Sequence, residues 1–281
     1  MIKVKEALQR ASLQLQGAGI TAARREAEIL LSAVLKKTRA WLYAHDEEII
    51  ESETYVLFQQ WVERRAQGEP FAYLCGEREF MGLPFVVTPA VLIPRPETEI
   101  LVEAVVQELQ GWHNVKLLEV GVGSGAIAIS LATLLPYARI TAVDISPAAL
   151  AVAAFNSERL QVAERLSFLA GDLYAPVRGQ KFTAVISNPP YISAAEYLML
   201  DKSVKNYEPR VALDGGPDGL TFYRRLSAEL KQLAAPPQLL ALEVGQGQAA
   251  AVSTLCREAG YQKIKQIPDL AGIPRVVLAK L

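Results

Sequence analysis

Cysteine and histidine are scarce in this chain of 281 residues: Cys75, Cys256, His45 and His113 are all there are. The cysteines lie far apart and show no metal-ligand spacing with either histidine. No metal is expected, and neither a zinc site nor a disulfide framework; two reduced thiols in a cytoplasmic protein is the reading that remains. The histidines are assigned no role. An excess of charge is also missing, since 29 Lys and Arg face 30 Asp and Glu for a formal net charge of −1. With no long basic run, no direct nucleic-acid binding is expected. No apolar run is long enough to span a bilayer, so no membrane partner is expected either. The first residues mix Lys3, Lys5, Glu6 and Arg10 with apolar ones and do not read as a secretory leader. Internal repeats and low-complexity segments are lacking.

What is there is ample core material, 51% hydrophobic residues, arranged in two patterns. Early in the chain, Val4, Ala7, Leu8, Ala11 and Leu15 recur at helical spacing. Gly17 and Gly19 break that run. Thr21 is expected to cap a second helix through Ile29, Leu30, Ala33 and Val34, and a third covers Tyr55 to Gln67 before Gly68 and Pro70. Phe80 to Val87, with Gly82 and Pro84 inside it, predicts a β-hairpin linking two domains. Pro94 and Pro96 favour extended backbone, and Glu97 to Gln110 reads as a helix. From Lys116 onward strands and helices alternate. Strands are expected at Leu117 to Val120, Ile140 to Val143, Leu166 to Leu169, Ala184 to Ser187, Leu239 to Val244, Tyr261 to Ile267 and Arg275 to Ala279. Helices are expected at Ala126 to Leu135, after a Ser146 cap with Pro147, at Phe222 to Leu233 and at Gln248 to Ala259. The alternation predicts an α/β fold, a doubly wound and mostly parallel sheet covered on both faces.

The first informative motif is Leu118-Glu119-Val120-Gly121-Val122-Gly123-Ser124-Gly125-Ala126. Glycines let backbone turn tightly and approach a ligand, and the following helix offers its N-terminal N–H groups to an anion. Asp144 ends the next strand, where a carboxylate can accept both hydroxyl hydrogens of a ribose. Gly121, Gly123 and Ala126 also satisfy the dinucleotide pattern, so the unit alone fits either a pyrophosphate or the methionine carboxylate of S-adenosyl-L-methionine. Glu119 tilts the choice to the second, because only that ligand carries a cationic amino group there. Asp172 is a candidate partner for the adenine amino group, with a surface turn or helix cap as its alternative.

The second motif, Asn188-Pro189-Pro190-Tyr191, follows a strand directly. Proline has no N–H, so the loop offers acceptors without competing donors. The Asn188 side-chain oxygen and the Pro189 carbonyl can accept both hydrogens of one NH₂ group, while Tyr191 can lie on the flat face of an amide or base. Two stiffening prolines, Pro189 and Pro190, lower the entropy lost on binding. An amide nitrogen is a poor nucleophile, and aiming its lone pair at a sulfonium methyl group is a matter of positioning and electrostatics.

Together with Phe71-Ala72-Tyr73-Leu74, Glu77-Arg78-Glu79-Phe80, Gly82-Leu83, Leu92-Ile93-Pro94-Arg95-Pro96-Glu97-Thr98-Glu99, Tyr207-Glu208-Pro209-Arg210-Val211-Ala212-Leu213, Gly215-Gly216 and Glu243-Val244-Gly245, these motifs carry a resemblance. Along nearly its whole length the chain resembles the HemK/PrmC family of release factor glutamine methyltransferases. The resemblance implies a class I S-adenosylmethionine methyltransferase fold with a seven-stranded, Rossmann-like sheet. It implies residues 1–75 as an N-terminal helical substrate-recognition domain, 76–96 as the β-hairpin linker and 97–281 as the methyltransferase domain. The implied substrate is the glutamine of the Gly-Gly-Gln motif of class I peptide chain release factors, held by Asn188, Pro189, Pro190 and Tyr191. Catalytic roles would fall on Asn188, Pro189 and Tyr191. Cofactor positions map to Glu119, Gly121, Val122, Gly123, Ser124, Gly125, Asp144, Asp172, Leu173 and Asn188. One departure stands out: where the family often has an aromatic residue after the aspartate of the third strand, this chain has Leu173, with Tyr174 next. Arg95 and Glu97 either line the site or form a structural ion pair. The alternative substrate, on the tetrapeptide alone, is an amino group of DNA or RNA or a ribosomal-protein amide.

Overall fold

The computed structural model describes residues 2–281, and the chain divides into two units. The first runs to Gly76 and includes Lys202–Tyr207; the second comprises Glu77–Asp201 and Glu208–Leu281.

In the first unit a short pair of antiparallel strands, β1 (Ile2–Lys3) and β2 (Ile49–Ile50), accompanies five helices. These are α1 (Val4–Gly17), α2 (Ala23–Leu35), α3 (Arg39–Ala44), α4 (Ser52–Ala66) and α5 (Phe71–Cys75). The residues at helical spacing on α1, from Val4 to Leu15, are all buried. They pack with Ala27, Leu30, Leu31, Phe58 and Val62 in one core. The expected cap of α2 is displaced: Thr21 lies in the preceding turn, and Ala22 occupies the N-cap with no side-chain hydrogen bond. Helix α3 was not evident from periodicity because it is too short. Its start is marked by Thr38, whose hydroxyl accepts from Trp41 N at 3.2 Å. Buried Glu28 ties α2 to α3, accepting from Arg24, Arg39 and Tyr43. Burial raises its pKa, but those hydrogen bonds outweigh it and the net shift is downward. Tyr207 donates to the Gln67 carbonyl at 3.2 Å within the same unit.

The second unit begins with β3 (Glu77–Phe80) and β4 (Leu83–Val86), an antiparallel hairpin turning on Met81 and Gly82. Both turn residues have positive φ, 52° and 71°, as a tight two-residue hairpin requires. Phe80 and Phe85 meet edge to face at 6.1 Å and join the core of this unit. Helix α6 (Glu97–Leu109) opens on Pro96, which is helical (φ −57°, ψ −33°) rather than extended. A ring-fixed φ suits the start of a helix, where no N–H is needed. Next come β5 (Lys116–Val120), α7 (Ala126–Leu134), β6 (Arg139–Asp144), α8 (Pro147–Arg159), β7 (Leu166–Ala170) and β8 (Ala184–Ser187). The chain then forms α9 (Ala194–Met199), passes through α10 (Lys202–Lys205) of the first unit, and returns as α11 (Thr221–Ala228), β9 (Leu239–Glu243), α12 (Ala249–Glu258), β10 (Lys263–Pro268) and β11 (Pro274–Lys280). Helices α9 and α10 are too short to show a period in sequence.

The seven strands run in the order β10-β11-β9-β8-β5-β6-β7. The pairs from β9 to β7 are parallel, and β11 is inserted antiparallel to both neighbours. Successive residues of a strand serve opposite faces, which the two cores display. Ala184, Ile186, Leu239, Ala241, Val276 and Leu278 pack with α6 and α7. Val185, Leu240, Leu242, Val277 and Ala279 pack with α11 and α12. This is the doubly wound, Rossmann-like α/β fold that the alternation predicts. From β5 the chain moves outward to β6 and β7, then returns to β8 on the other side of β5. That reversal parts the loops beyond β5 and β8 and opens a cleft at their carboxyl ends.

Candidate active site

The glycine turn and the first three residues of the second motif line that cleft. Three glycines of the turn after β5 have positive φ: Gly121 at 82°, Gly123 at 53° and Gly125 at 83°. A side chain on Gly125 would also stand 2.8 Å from Ile129 Cδ1 and 3.2 Å from Ala153 Cβ, so this glycine lets α7 and α8 close up. Asp144, at the end of β6, holds the turn open toward the cleft. Its carboxylate accepts from Gly123 N and Ser146 N, each at 2.9 Å, and each oxygen keeps a lone pair to offer. Glu119 is 1% exposed. One carboxylate oxygen accepts from Ala128 N at 2.9 Å, while the other is buried with no partner, and the residue contributes to the cavity wall. Burial drives its pKa well above 4.5; the Ala128 N–H opposes this and Asp144 adds to it.

Asn188, Pro189 and Pro190 form the facing wall. The loop is close to the glycine turn: a Cβ on Gly121 would be 3.9 Å from the Asn188 carbonyl oxygen. The Asn188 amide nitrogen donates to Thr98 Oγ1 at 3.2 Å, which leaves Oδ1 as the group free to accept. Tyr191 stands beside the cavity rather than in its wall. Its carbonyl accepts from Gln248 Nε2 at 2.9 Å, and a Cβ on Gly245 would be 3.0 Å from its ring. Burial pushes the Tyr191 hydroxyl up to about 12.

At the other end of the cavity, Leu173 is part of the wall, with φ 48°. Tyr174 is fully buried and donates to the Leu226 carbonyl at 3.0 Å, away from the cavity. Asp172 borders the cavity, but both its oxygens are engaged by Arg225 at 3.1 and 2.7 Å. Arg95 has a part in the wall, and its ion pair, at 2.5 Å, is with Glu208 rather than with Glu97. Glu208 also accepts from Ile93 N. Glu97 is exposed and takes no part in the wall.

Three residues of the site carried no signal of their own. Asn156 is fully buried on α8; it accepts from Val86 N and donates to the carbonyls of Val86 and Ser124, all at 2.9 Å. Thr98 holds the Asn188 amide, and Glu243 is buried with its Oε2 unpartnered. Burial pushes the Glu243 carboxyl up to about 7, and hydrogen bonding from Thr98 and Asn188 restrains it. Only the family segments around Thr98 and Glu243 pointed to them.

Residues 6–76 match the family model described as PrmC N-terminal domain, and residues 96–206 match the methyltransferase small domain. The release factor glutamine methyltransferase of Moorella thermoacetica is 47% identical over 98% of this chain and 98% of its own length. That of Geobacter sulfurreducens is 42% identical over 92% and 90%. A solved structure described as the release factor-specific protein-(glutamine-N5) methyltransferase of Alicyclobacillus acidocaldarius is 35% identical, covers 69% of this chain and 98% of that one, and has a TM-score of 0.41. Identity at this level along the whole of both chains shows that this chain belongs to the release factor glutamine methyltransferase family.

Proposed function

We propose that this enzyme transfers the methyl group of S-adenosyl-L-methionine to the side-chain amide nitrogen of the glutamine in the Gly-Gly-Gln motif of class I peptide chain release factors. The products would be N5-methylglutamine, S-adenosyl-L-homocysteine and one proton, lost to water from the nitrogen once methylation has made it acidic, and translation termination sets the reaction in the cytoplasm. The observation that carries the reading is the Asn188 amide, part of the cavity wall and anchored through its nitrogen on Thr98, so that its oxygen is the end left to accept.

The cleft fits the cofactor on its own chemistry. The partnerless buried oxygen of Glu119 suits an ammonium group, and the spare lone pairs of Asp144 suit two ribose hydroxyls. The turn from Gly121 through Val122, Gly123, Ser124 and Gly125 would cradle the methionine end. Leu173 would pack on the adenine in place of an aromatic ring, with Asp172 at its edge already neutralised by Arg225. When bound, the cofactor supplies an electrophilic methyl group on a sulfonium. The protein's own part is to hold the nucleophile. Asn188 Oδ1 and the Pro189 carbonyl would accept the two amide hydrogens, fix the nitrogen in place and favour the positive charge that develops on it. Pro190 stiffens the pair and Tyr191 props it from the side. The N-terminal helical domain would recognise the release factor away from its glutamine.

Purified enzyme with labelled cofactor and a release factor tests this. Labelling is expected, and it should vanish when the glutamine of the motif is replaced by alanine. Asn188→Ala should lower kcat by ~10²-fold or more, comparable to the loss of one aimed polar group, with affinity for S-adenosylhomocysteine nearly unchanged. Undiminished labelling of the glutamine variant, or near wild-type turnover by Asn188→Ala, refutes the reading. A substrate in nucleic acid is disfavoured by the net charge of −1.

A further inference from the structure

We propose that Glu243 and Thr98 are positioning residues that decide which way the Asn188 amide faces, and so keep its oxygen rather than its NH₂ group toward the substrate nitrogen. The inference rests on the role given to Asn188 above.

An asparagine amide has two ends of similar shape and opposite hydrogen-bonding character. If Asn188 turned over, a donor would meet the donor hydrogens of the substrate amide, and the acceptor pair would be lost. Something must therefore tell the two orientations apart. Three elements converge to do so: Thr98 on α6, Asn188 after β8 and Glu243 at the end of β9. Thr98 is 4% exposed and Glu243 2%. Thr98 Oγ1 accepts from the Asn188 nitrogen at 3.2 Å. Glu243 Oε2 is buried with no hydrogen-bond partner of its own, and Thr98 and Asn188 are the polar side chains beside that carboxylate that favour its ionised form.

The direction of these bonds follows from what each group can do. An ionised carboxylate only accepts, so Thr98 gives it its single hydrogen and offers a lone pair to Asn188. The second Asn188 N–H is left for the carboxylate itself. Turning the amide over would set Oδ1 against the carboxylate, and Thr98 could donate to Oδ1 only by withdrawing its hydrogen from Glu243. In this buried place no water compensates cheaply. A carboxylate at 243 thus enforces one orientation, whereas an amide at 243 could donate to Oδ1 and tolerate both. The charged and titratable groups around Glu243 are Glu97, which opposes its ionisation, Arg275, which favours it, and the hydroxyls of Tyr191 and Tyr223.

The test uses the full chain, a release factor as substrate, and Tm and S-adenosylhomocysteine affinity as controls. Glu243→Gln and Thr98→Val should each lower kcat ~10-fold or more, since slight misplacement of a reacting group is costly. Cofactor affinity should hold, and Thr98→Ser should restore turnover. In the Asn188→Ala background, Glu243→Gln should cause no further loss, because residues acting through one group are not additive. A purely structural role predicts independent losses, and that result overturns the proposal, as does unchanged kcat in both single variants. The NMR signals of the Asn188 side-chain NH₂, identified by their loss in Asn188→Ala, give a reading without substrate. They should move in Glu243→Gln and Thr98→Val; signals unmoved in both overturn the proposal. A wild-type enzyme that fails to label release factor while these signals do move refutes the substrate and leaves the positioning intact.

Discussion

Replacing Asn156 with alanine should destabilise the methyltransferase unit and loosen its cofactor turn together. The side chain is fully buried and makes three hydrogen bonds to backbone, one from Val86 N and two to the carbonyls of Val86 and Ser124. At ~1 kcal/mol net per bond, their loss is worth ~3 kcal/mol, and a stranded Val86 N–H raises that toward ~4 kcal/mol. For a chain of this size, each 1 kcal/mol moves Tm by roughly 2–4 °C, so Asn156→Ala should melt about 6–16 °C below wild type. Because one of the three bonds holds the Ser124 carbonyl, S-adenosylhomocysteine should bind ~10-fold more weakly, about 1.4 kcal/mol. Asn156→Asp sharpens the test. It keeps the acceptor for Val86 N–H but points oxygen at two carbonyls, so it should be no more stable than the alanine variant despite its matching shape. Thermal unfolding and calorimetry on the three proteins decide the matter. An alanine variant within 2 °C of wild type, or an aspartate variant clearly above it, refutes the reasoning.

Gly125→Ala would combine positive φ with a Cβ pressed against Ile129 and Ala153. It should cost ~2–4 kcal/mol by unfolding and abolish tight S-adenosylhomocysteine binding; a fully stable, fully binding variant would contradict the geometry. For Glu243, whose carboxyl is raised from 4.5 to about 7 chiefly by burial, the folded state holds the proton more tightly than the unfolded one. Its stabilising contribution is therefore present below about 4.5 and is lost as pH rises through about 7, a change on the order of 3 kcal/mol. The Tm of wild type relative to Glu243→Gln should fall over that window while wild-type turnover rises through it. Parallel curves for the two proteins would remove Glu243 as the titrating group.

Periodicity made the fold legible because most elements bury one face. The alternating contributions of β8, β9 and β11 to two cores, and the buried stripe of α1, are what an apolar pattern encodes. Elements of six residues or fewer, such as α3, α5 and α9, complete too few turns to show a period. Thr21 was a reasonable capping residue in the wrong place by one position, a difference that turn geometry decides and composition does not. In the site, Gly121, Gly123, Gly125, Asp144 and Asn188 stood out because each belongs to a short motif or ends a strand, and the structure brings all but Gly125 into one cavity wall. Thr98, Asn156 and Glu243 did not. Asn156 reaches Val86 across 70 positions and Asn188 reaches Thr98 across 90, and no local pattern specifies such meetings.

The distribution of buried polar side chains says what kind of catalyst this is. Asn156 holds Val86 and the Ser124 carbonyl, Asp144 holds Gly123, and Ser187 donates to the Val120 carbonyl at 2.7 Å where the two loops begin. Gln248 binds the Tyr191 carbonyl, and a Cβ on Gly215 would lie 2.7 Å from Tyr191 Cα, so no side chain larger than hydrogen fits against that loop. Thr98 anchors Asn188 from the far side. Nearly every one of these groups is committed to fixing a backbone or an amide, and the hydroxyl of Tyr191, raised to about 12, is poorly placed to trade a proton near neutrality. The titratable groups that line the cleft are tied down as well: Asp144 accepts two backbone N–H groups, Asp172 and Arg95 sit in ion pairs, and one oxygen of Glu119 accepts from Ala128 N. Groups held still are what transfer to an unreactive amide nitrogen demands when orientation supplies most of the barrier reduction.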